Sequence, residues 1–349
     1  VQPYRESILK DIKTEWSSEF TAGIVIDPQT GAIVALAASP SFDLNKFGDE
    51  KGVSFANPLV ENIYEMGSII KPLTIAAGLD SGTITAKTTY NDRGSRTFDG
   101  YTISNYDGKA RGVVPIQQIL SQSLNTGVAF VAEKMGKESF RRYMYRFGIN
   151  EETGIDLPNE AKSQTANLDS PREIEYATAS FGQGIALTPI ATVRALSILP
   201  DGYAEQPHLV AEVQSRNGLS HTLDYSDVRE QIIKQETAEE ITRMLVAVVD
   251  EALLGGTVKM DRYSIAAKTG TAQIAGRGGY TDEFMHTFFG YGPAYDPEFL
   301  VVFFLEKPRG VRYASETLTE PFRDTMKHLF SYFEILPDRP HELRVSNDD

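Results

Sequence analysis

The chain has 349 residues, 41% of them hydrophobic and 23% charged, a balance ordinary for a globular protein with a substantial core. Its formal charge of −14 argues against nucleic acid or an anionic membrane surface as partner, because phosphates would be repelled. Cysteine is absent, which excludes disulfides and thiolate metal sites, and the five histidines (His208, His221, His286, His328, His341) lack metal-ligand spacing and read as surface or packing residues.

Residues 5–20 read as a helix with Ile8, Leu9, Ile12 and Trp16 on one face and Arg5, Glu6, Lys10, Asp11 and Lys13 elsewhere. Two strands, 22–26 and 32–37, flank the turn-forming string Asp27-Pro28-Gln29-Thr30-Gly31. From about 66 to about 252 the pattern is mainly helical. Ile69, Ile70, Leu73, Ile75, Ala76, Ala77 and Leu79 are apolar almost all round, the mark of a buried helix, which Asp80-Ser81-Gly82 ends. Residues 84–113 are polar and turn-rich and read as loops or short strands. Pro115 starts a helix through Ile119 and Leu120, Val128-Ala129-Phe130-Val131 begins another, and further helices fall near 188–199 and 236–253. Strand signals return at 264–274, 287–291 and 298–305, the last a continuous apolar run expected of a strand covered on both faces. A final helix spans roughly 317–333, and the tail after Pro337 reads as loose. No stretch approaches 18 consecutive apolar residues and the start carries no signal pattern, so an extracytoplasmic protein of this kind would have its anchor outside this sequence.

The predicted fold class is mixed α/β, of the α+β type. An antiparallel sheet of about five strands is drawn from both chain ends (about 20–45 and 255–335) and covered by helices, with a mainly helical lobe (about 66–252) inserted between, all in one domain over 1–349. A cleft between sheet and lobe is the expected place for chemistry.

Three short motifs occur in order. Ser68 and Lys71 form Ser-x-x-Lys, one helical turn apart on one face. A serine hydroxyl is a poor nucleophile until a base takes its proton, and Lys71, desolvated by Ile69, Ile70 and Leu73, gives up its own proton more easily than in water. Ser123-Leu124-Asn125 is Ser-x-Asn on an interhelical loop; its hydroxyl suits a proton relay, and its amide suits holding the lysine and a substrate carbonyl. Lys268-Thr269-Gly270 lies in a strand of small residues, where Gly270 allows another backbone to approach and an edge would accept an extended peptide. Lys268 supplies charge, the Thr269 and Thr271 hydroxyls suit a terminal carboxylate, and the N–H groups of Ser68 and Thr271 suit an oxyanion hole. Each motif alone has an ordinary reading. Ser7 to Lys10 is another Ser-x-x-Lys on the solvated side of the first helix, and Ser215-Arg216-Asn217-Gly218 is another Ser-x-Asn that reads as a turn. The three together describe acyl-enzyme chemistry.

These motifs resemble those of the penicillin-binding proteins and serine β-lactamases. Longer strings, Tyr64-Glu65-Met66-Gly67-Ser68-Ile69-Ile70-Lys71-Pro72, Gly154-Ile155-Asp156-Leu157-Pro158, Ser180 through Pro189 and Ala267 through Gln273, resemble the transpeptidase domain of class B penicillin-binding proteins from about residue 20 to about 330. Met66 and Ile70 stand where family members often have Pro and Phe. The resemblance implies a D,D-transpeptidase that cross-links peptidoglycan stem peptides ending in D-Ala-D-Ala, drawn from a lipid-linked precursor. It implies inhibition by β-lactams acylating Ser68, no cofactor or metal, a membrane glycosyltransferase as partner, and a location at the extracytoplasmic face of the bacterial membrane. A D,D-carboxypeptidase or a β-lactamase using Asp156 or Glu160 for deacylation are alternatives, as is a β-lactam sensor or a non-catalytic wall scaffold. The stretch 275–280 is expected to border the cleft with no assigned role.

Overall fold

The computed structural model describes residues 1–42, 45–46, 55–225 and 229–339; of the tail after Pro337 expected to be loose, Asp338 accepts from Ser264 N–H and Arg339 pairs with Asp250, while residues from 340, with His341, lie outside the described residues. At the N-terminal end come α1 (Gln2–Glu15), β1 (Phe20–Ile26) and β2 (Ile33–Ser39), and next a 3₁₀ turn (Gly67–Ile70) running into α2 (Lys71–Asp80). The lobe continues with β3 (Thr89–Asp92), β4 (Ser95–Phe98), β5 (Tyr101–Ser104) and β6 (Gly112–Pro115), pairing β3 with β6 and β4 with β5. Helices α3 (Ile116–Ser121), α4 (Asn125–Met135), α5 (Lys137–Arg146), α6 (Glu173–Ala179) and α7 (Pro189–Leu196) follow. Short ribbons β7 (Tyr203–Ala204), β8 (Glu212–Gln214), β9 (Ser220–Thr222) and β10 (Glu230–Gln231) precede α8 (Gln235–Ala247), which ends in a π turn over Val248–Ala252. The chain then returns to the sheet with β11 (Ala266–Gly276), β12 (Gly279–Gly292) and β13 (Phe299–Glu306), and closes with α9 (Ala314–Thr317) and α10 (Thr319–Tyr332).

The expected sheet of five strands from both ends is present. Its order is β11-β12-β13-β1-β2, antiparallel throughout. Side-chain alternation at period two sends Leu300, Val302 and Phe304 of β13, with Ile24 and Ile26 of β1, into the core shared with the helical lobe. Val301, Phe303 and Leu305, with Val25, enter a second core against Leu9 and Ile12 of α1 and Phe322, Met326 and Leu329 of α10. The apolar run in β13 is thus the sequence of a strand buried on both faces, as read. The outer edge at β2 is closed by Gln2, whose side-chain amide donates to Leu36 O at 3.0 Å and accepts from Leu36 N–H at 3.1 Å, as a neighbouring strand would.

One expectation is corrected. Arg5 does not lie away from the apolar face of α1; it is fully buried. Its guanidinium carbon sits 3.7 Å from the centroid of the Phe303 ring, and Nη2 donates to Val302 O at 2.7 Å. Gly23 on β1 makes the space, since a Cβ built there would stand 2.0 Å from Arg5 Nη2. Burial pushes the guanidinium pKa down to about 9. Gly23→Ala is therefore expected to destabilise the chain by about 1–3 kcal/mol through overpacking. Urea denaturation reads this as a lower midpoint, and an unchanged midpoint contradicts the packing described.

Candidate active site

The three motifs converge on one cleft of about 870 Å³ between sheet and lobe, lined by Ser68, Ser123, Asn125, Lys268, Thr269 and Thr271 among others. Ser68 sits in the 3₁₀ turn ahead of α2, where first-turn N–H groups have no carbonyl behind them within the helix. The turn is clamped to β11. A Cβ on Gly270 would stand 2.3 Å from Thr287 Oγ1, 2.9 Å from Met66 O and 3.1 Å from Ile69 N, and one on Gly67 (φ +65°) would meet Ala272. Thr287 on β12 reaches across this gap to donate to Met66 O at 2.9 Å. Gly270 is thus the position where a second backbone approaches, as its lack of a side chain suggested.

Lys71 is the first residue of α2 and fully buried. Its Nζ donates to Ser123 O at 2.6 Å and lies 3.1 Å from Ser123 Oγ. Burial, and secondly the nearby Lys268 charge, hold its pKa well below the usual lysine value. Ser123 has a left-handed backbone, φ +53°, at the bend between α3 and α4. A buried network fixes that bend. Asp92 Oδ1 accepts from Thr126 Oγ1 at 2.9 Å and from Asn105 Nδ2 at 2.9 Å, and Asn105 Oδ1 accepts from Thr126 N–H at 3.2 Å. Asn125 differs from expectation: its Nδ2 donates to Ser104 O on β5 at 3.0 Å, and the backbone carbonyl of Ser123 holds the lysine in its stead. The reason is placement, since Asn125 is already the first residue of α4 and leans on the neighbouring ribbon.

Strand β11 is an edge of the sheet, so its outer backbone faces the cleft. Thr269, Thr271 and Gln273, at period two, line the cleft, while Gly270 turns toward the Ser68 turn. Lys268 is 2% exposed, donates to Thr269 O at 2.9 Å, and has its pKa pushed down to about 7 by burial. Thr271 Oγ1 accepts from Ala314 N–H at 3.0 Å, leaving its own hydrogen free to point into the cleft. The other matches to these motifs stay outside: Ser7 and Lys10 are exposed on α1, and Ser215 to Gly218 form the turn between β8 and β9.

Sequence reasoning missed several lining residues. Tyr106 and Tyr313, from opposite walls, meet edge to face at 5.8 Å across the mouth, with Arg312 beside them. Nothing in their spacing signals this, because only the fold joins the segment after β5 to the one before α9. Tyr280, from the stretch placed beside the cleft without a role, lines it and donates to Glu65 Oε1 at 3.3 Å. Glu65 also accepts from Gly184 N–H at 2.9 Å, and burial raises its pKa. A carboxylate three residues before Ser68 in an apolar setting was the available clue. Asp156 and Glu160 lie elsewhere: Asp156 accepts from the N–H groups of Leu209 and Val210 at 2.8 and 2.7 Å, and Glu160 caps Thr153, so both brace loops.

Known proteins resemble this chain in sequence and fold. Stage V sporulation protein D of Bacillus subtilis is 28% identical over 339 residues, 94% of this chain and 52% of that protein. The probable peptidoglycan D,D-transpeptidase PenA of Neisseria meningitidis is 29% identical over 323 residues, 91% of this chain and 53% of that protein. The chain spans about half the length of the curated relatives it matches. Penicillin-binding protein 3 of Mycobacterium tuberculosis, solved with aztreonam, superposes with a TM-score of 0.88 at 24% identity, over 97% of this chain and 78% of that one, and shares its fold. The penicillin binding protein transpeptidase domain is matched over residues 21–327, and on that extent the chain belongs to the penicillin-binding protein transpeptidase family.

Proposed function

We propose that this chain is the transpeptidase domain of a class B penicillin-binding protein and acts as a peptidoglycan D,D-transpeptidase. The observation that carries the reading is the fully buried Lys71 amine, 2.6 Å from Ser123 O and 3.1 Å from the Oγ of Ser123, a residue that lines the cleft together with Ser68. In this scheme neutral Lys71 takes the proton of Ser68 as Oγ bonds to the penultimate D-Ala carbonyl carbon. The N–H groups of Ser68 and Thr271 face the developing oxyanion. The proton passes through Ser123 Oγ to the leaving nitrogen, the C–N bond breaks, and terminal D-Ala departs. An amine of a second stem then attacks the ester, its C–O bond breaks, and Ser68 regains a proton. The Thr269 and Thr271 hydroxyls and Lys268 hold the terminal carboxylate, Asn125 flanks the peptide, and Gly270 keeps the strand against the Ser68 turn. The reaction needs no metal or cofactor.

A β-lactamase reading is disfavoured, because no carboxylate lines the cleft among the described residues and Asp156 and Glu160 are engaged elsewhere. The location proposed is the extracytoplasmic face of a bacterial membrane, in keeping with relatives named as peptidoglycan D,D-transpeptidases, and the partner proposed is a membrane glycosyltransferase that makes the glycan strand. No helix among the described residues is long and apolar enough to cross a membrane.

The test is the intact mass of the protein after benzylpenicillin, with peptide mapping. A stable adduct on Ser68, lost in Ser68→Ala, is expected. An adduct that persists in Ser68→Ala, or that clears within seconds, overturns the reading.

A further inference from the structure

The charges around the cleft run against those of the whole chain. The protein carries 48 acidic and 34 basic residues, yet among the described residues lining the cleft only Lys268 and Arg312 are charged, and both are cations. They differ in kind. Lys268 is buried, spends one donor on Thr269 O, faces Lys71 of α2, and is pushed down to about 7, so it is mostly neutral in mild alkali. Arg312 is exposed, bears a guanidinium, and makes no ion pair with any described residue. Its backbone is nevertheless held. Arg312 O accepts from His286 Nε2 at 3.0 Å, the guanidinium rides over the Tyr313 ring at 5.6 Å, and two residues on, Ala314 N–H donates to Thr271 Oγ1 at 3.0 Å. The backbone at Arg312 is thereby held two residues from the one bonded to the hydroxyl expected to meet the carboxylate.

We propose that Arg312 supplies the permanent positive charge that binds the terminal carboxylate of the donor peptide, alongside the hydroxyls of Thr269 and Thr271. The inference rests on the acyl-transfer reading of the same cleft. A guanidinium presents a fork of donors matched to a carboxylate, whereas the Lys268 amine is a weakly charged partner above neutral pH. Recognition of the anionic peptide end then persists across the pH range in which Lys268 loses its proton. The other titratable groups facing the site are Lys71 behind Lys268, the phenols of Tyr101, Tyr106, Tyr280 and Tyr313, the Glu65 carboxyl bonded to the Tyr280 hydroxyl, and His286, which burial pushes down to about 4.

The experiment compares acylation rates for benzylpenicillin and for its carboxyl methyl ester at pH 6 and pH 9, in the wild-type chain, Arg312→Gln and Arg312→Lys. The acid-to-ester ratio cancels the titration of Lys71, which acts on both probes. The wild-type ratio is expected to change little with pH. In Arg312→Gln it is expected to fall about tenfold at pH 9, the worth of one charge-assisted hydrogen bond, and much less at pH 6, where Lys268 is charged. Arg312→Lys is expected to keep most of the ratio at both. An Arg312→Gln ratio equal to wild type at pH 9, or equal slowing of acid and ester, overturns the inference and leaves the acyl-transfer reading standing. Failure of benzylpenicillin itself to acylate the wild-type chain removes that reading instead, and this inference with it.

Discussion

Lys71→Met is expected to slow acylation of Ser68 by benzylpenicillin by about 10²–10⁴-fold, the range of a lost general base, without loss of fold. The side chain is fully buried and its amine is desolvated, so an apolar replacement of similar length fits the space and removes a group that burial disfavours. Lys71→Arg is expected to be as slow, because a guanidinium keeps the charge but does not give up a proton. The pH profile carries the same signature. Lys71 acts when neutral and its pKa is depressed, first by burial and then by Lys268, so the acylation rate of the wild-type chain rises with pH on a limb lying well below the ordinary lysine value of 10.5. In Lys71→Met that limb is expected to vanish. Stopped-flow acylation at several pH values, with a thermal melt for fold, checks the claim; a limb that survives in Lys71→Met shows that another group is the base.

The second large effect is expected from Gly270→Ala. The new methyl would lie 2.3 Å from Thr287 Oγ1 and 2.9 Å from Met66 O, between two groups now joined by a 2.9 Å hydrogen bond. Relief requires the 3₁₀ turn to move away from β11, and Ser68 moves with it. A cost of about 1–3 kcal/mol in stability follows from the overpacking. Acylation is expected to fall further, by about a hundredfold, because a shift near 1 Å misplaces the nucleophile from Thr271 and Lys71. Measuring both urea midpoint and acylation rate separates these effects. A variant that loses stability yet acylates at the wild-type rate would show that the turn tolerates displacement.

How far the sequence revealed this arrangement depends on whether a signal was local. Ser68 and Lys71 stood out because the residues between and after them are apolar on every side, and the structure buries that helix as the pattern demanded. The β13 run was readable because a strand covered twice cannot alternate. Arg5 was misplaced because a guanidinium on a helix normally faces water; here Gly23, the Phe303 ring and the Val302 carbonyl, all from distant strands, form its pocket. The turn of Asn125 toward Ser104, and the meeting of Tyr106 with Tyr313, likewise depend on neighbours that only the closed sheet brings near.

The pairing of β1 with β13, Phe20 against Glu306, has a consequence for the order of events during synthesis. Within this sheet β1 is made well before its central partner β13, so the sheet stays open and one edge of β1 stays unpaired until β13 has been made. Lys71 and Ser123 belong to the lobe and can fold early, but the strand bearing Lys268 takes its place only when both ends have met. On the proposed function, the cleft that would react with a β-lactam is then completed late and all at once.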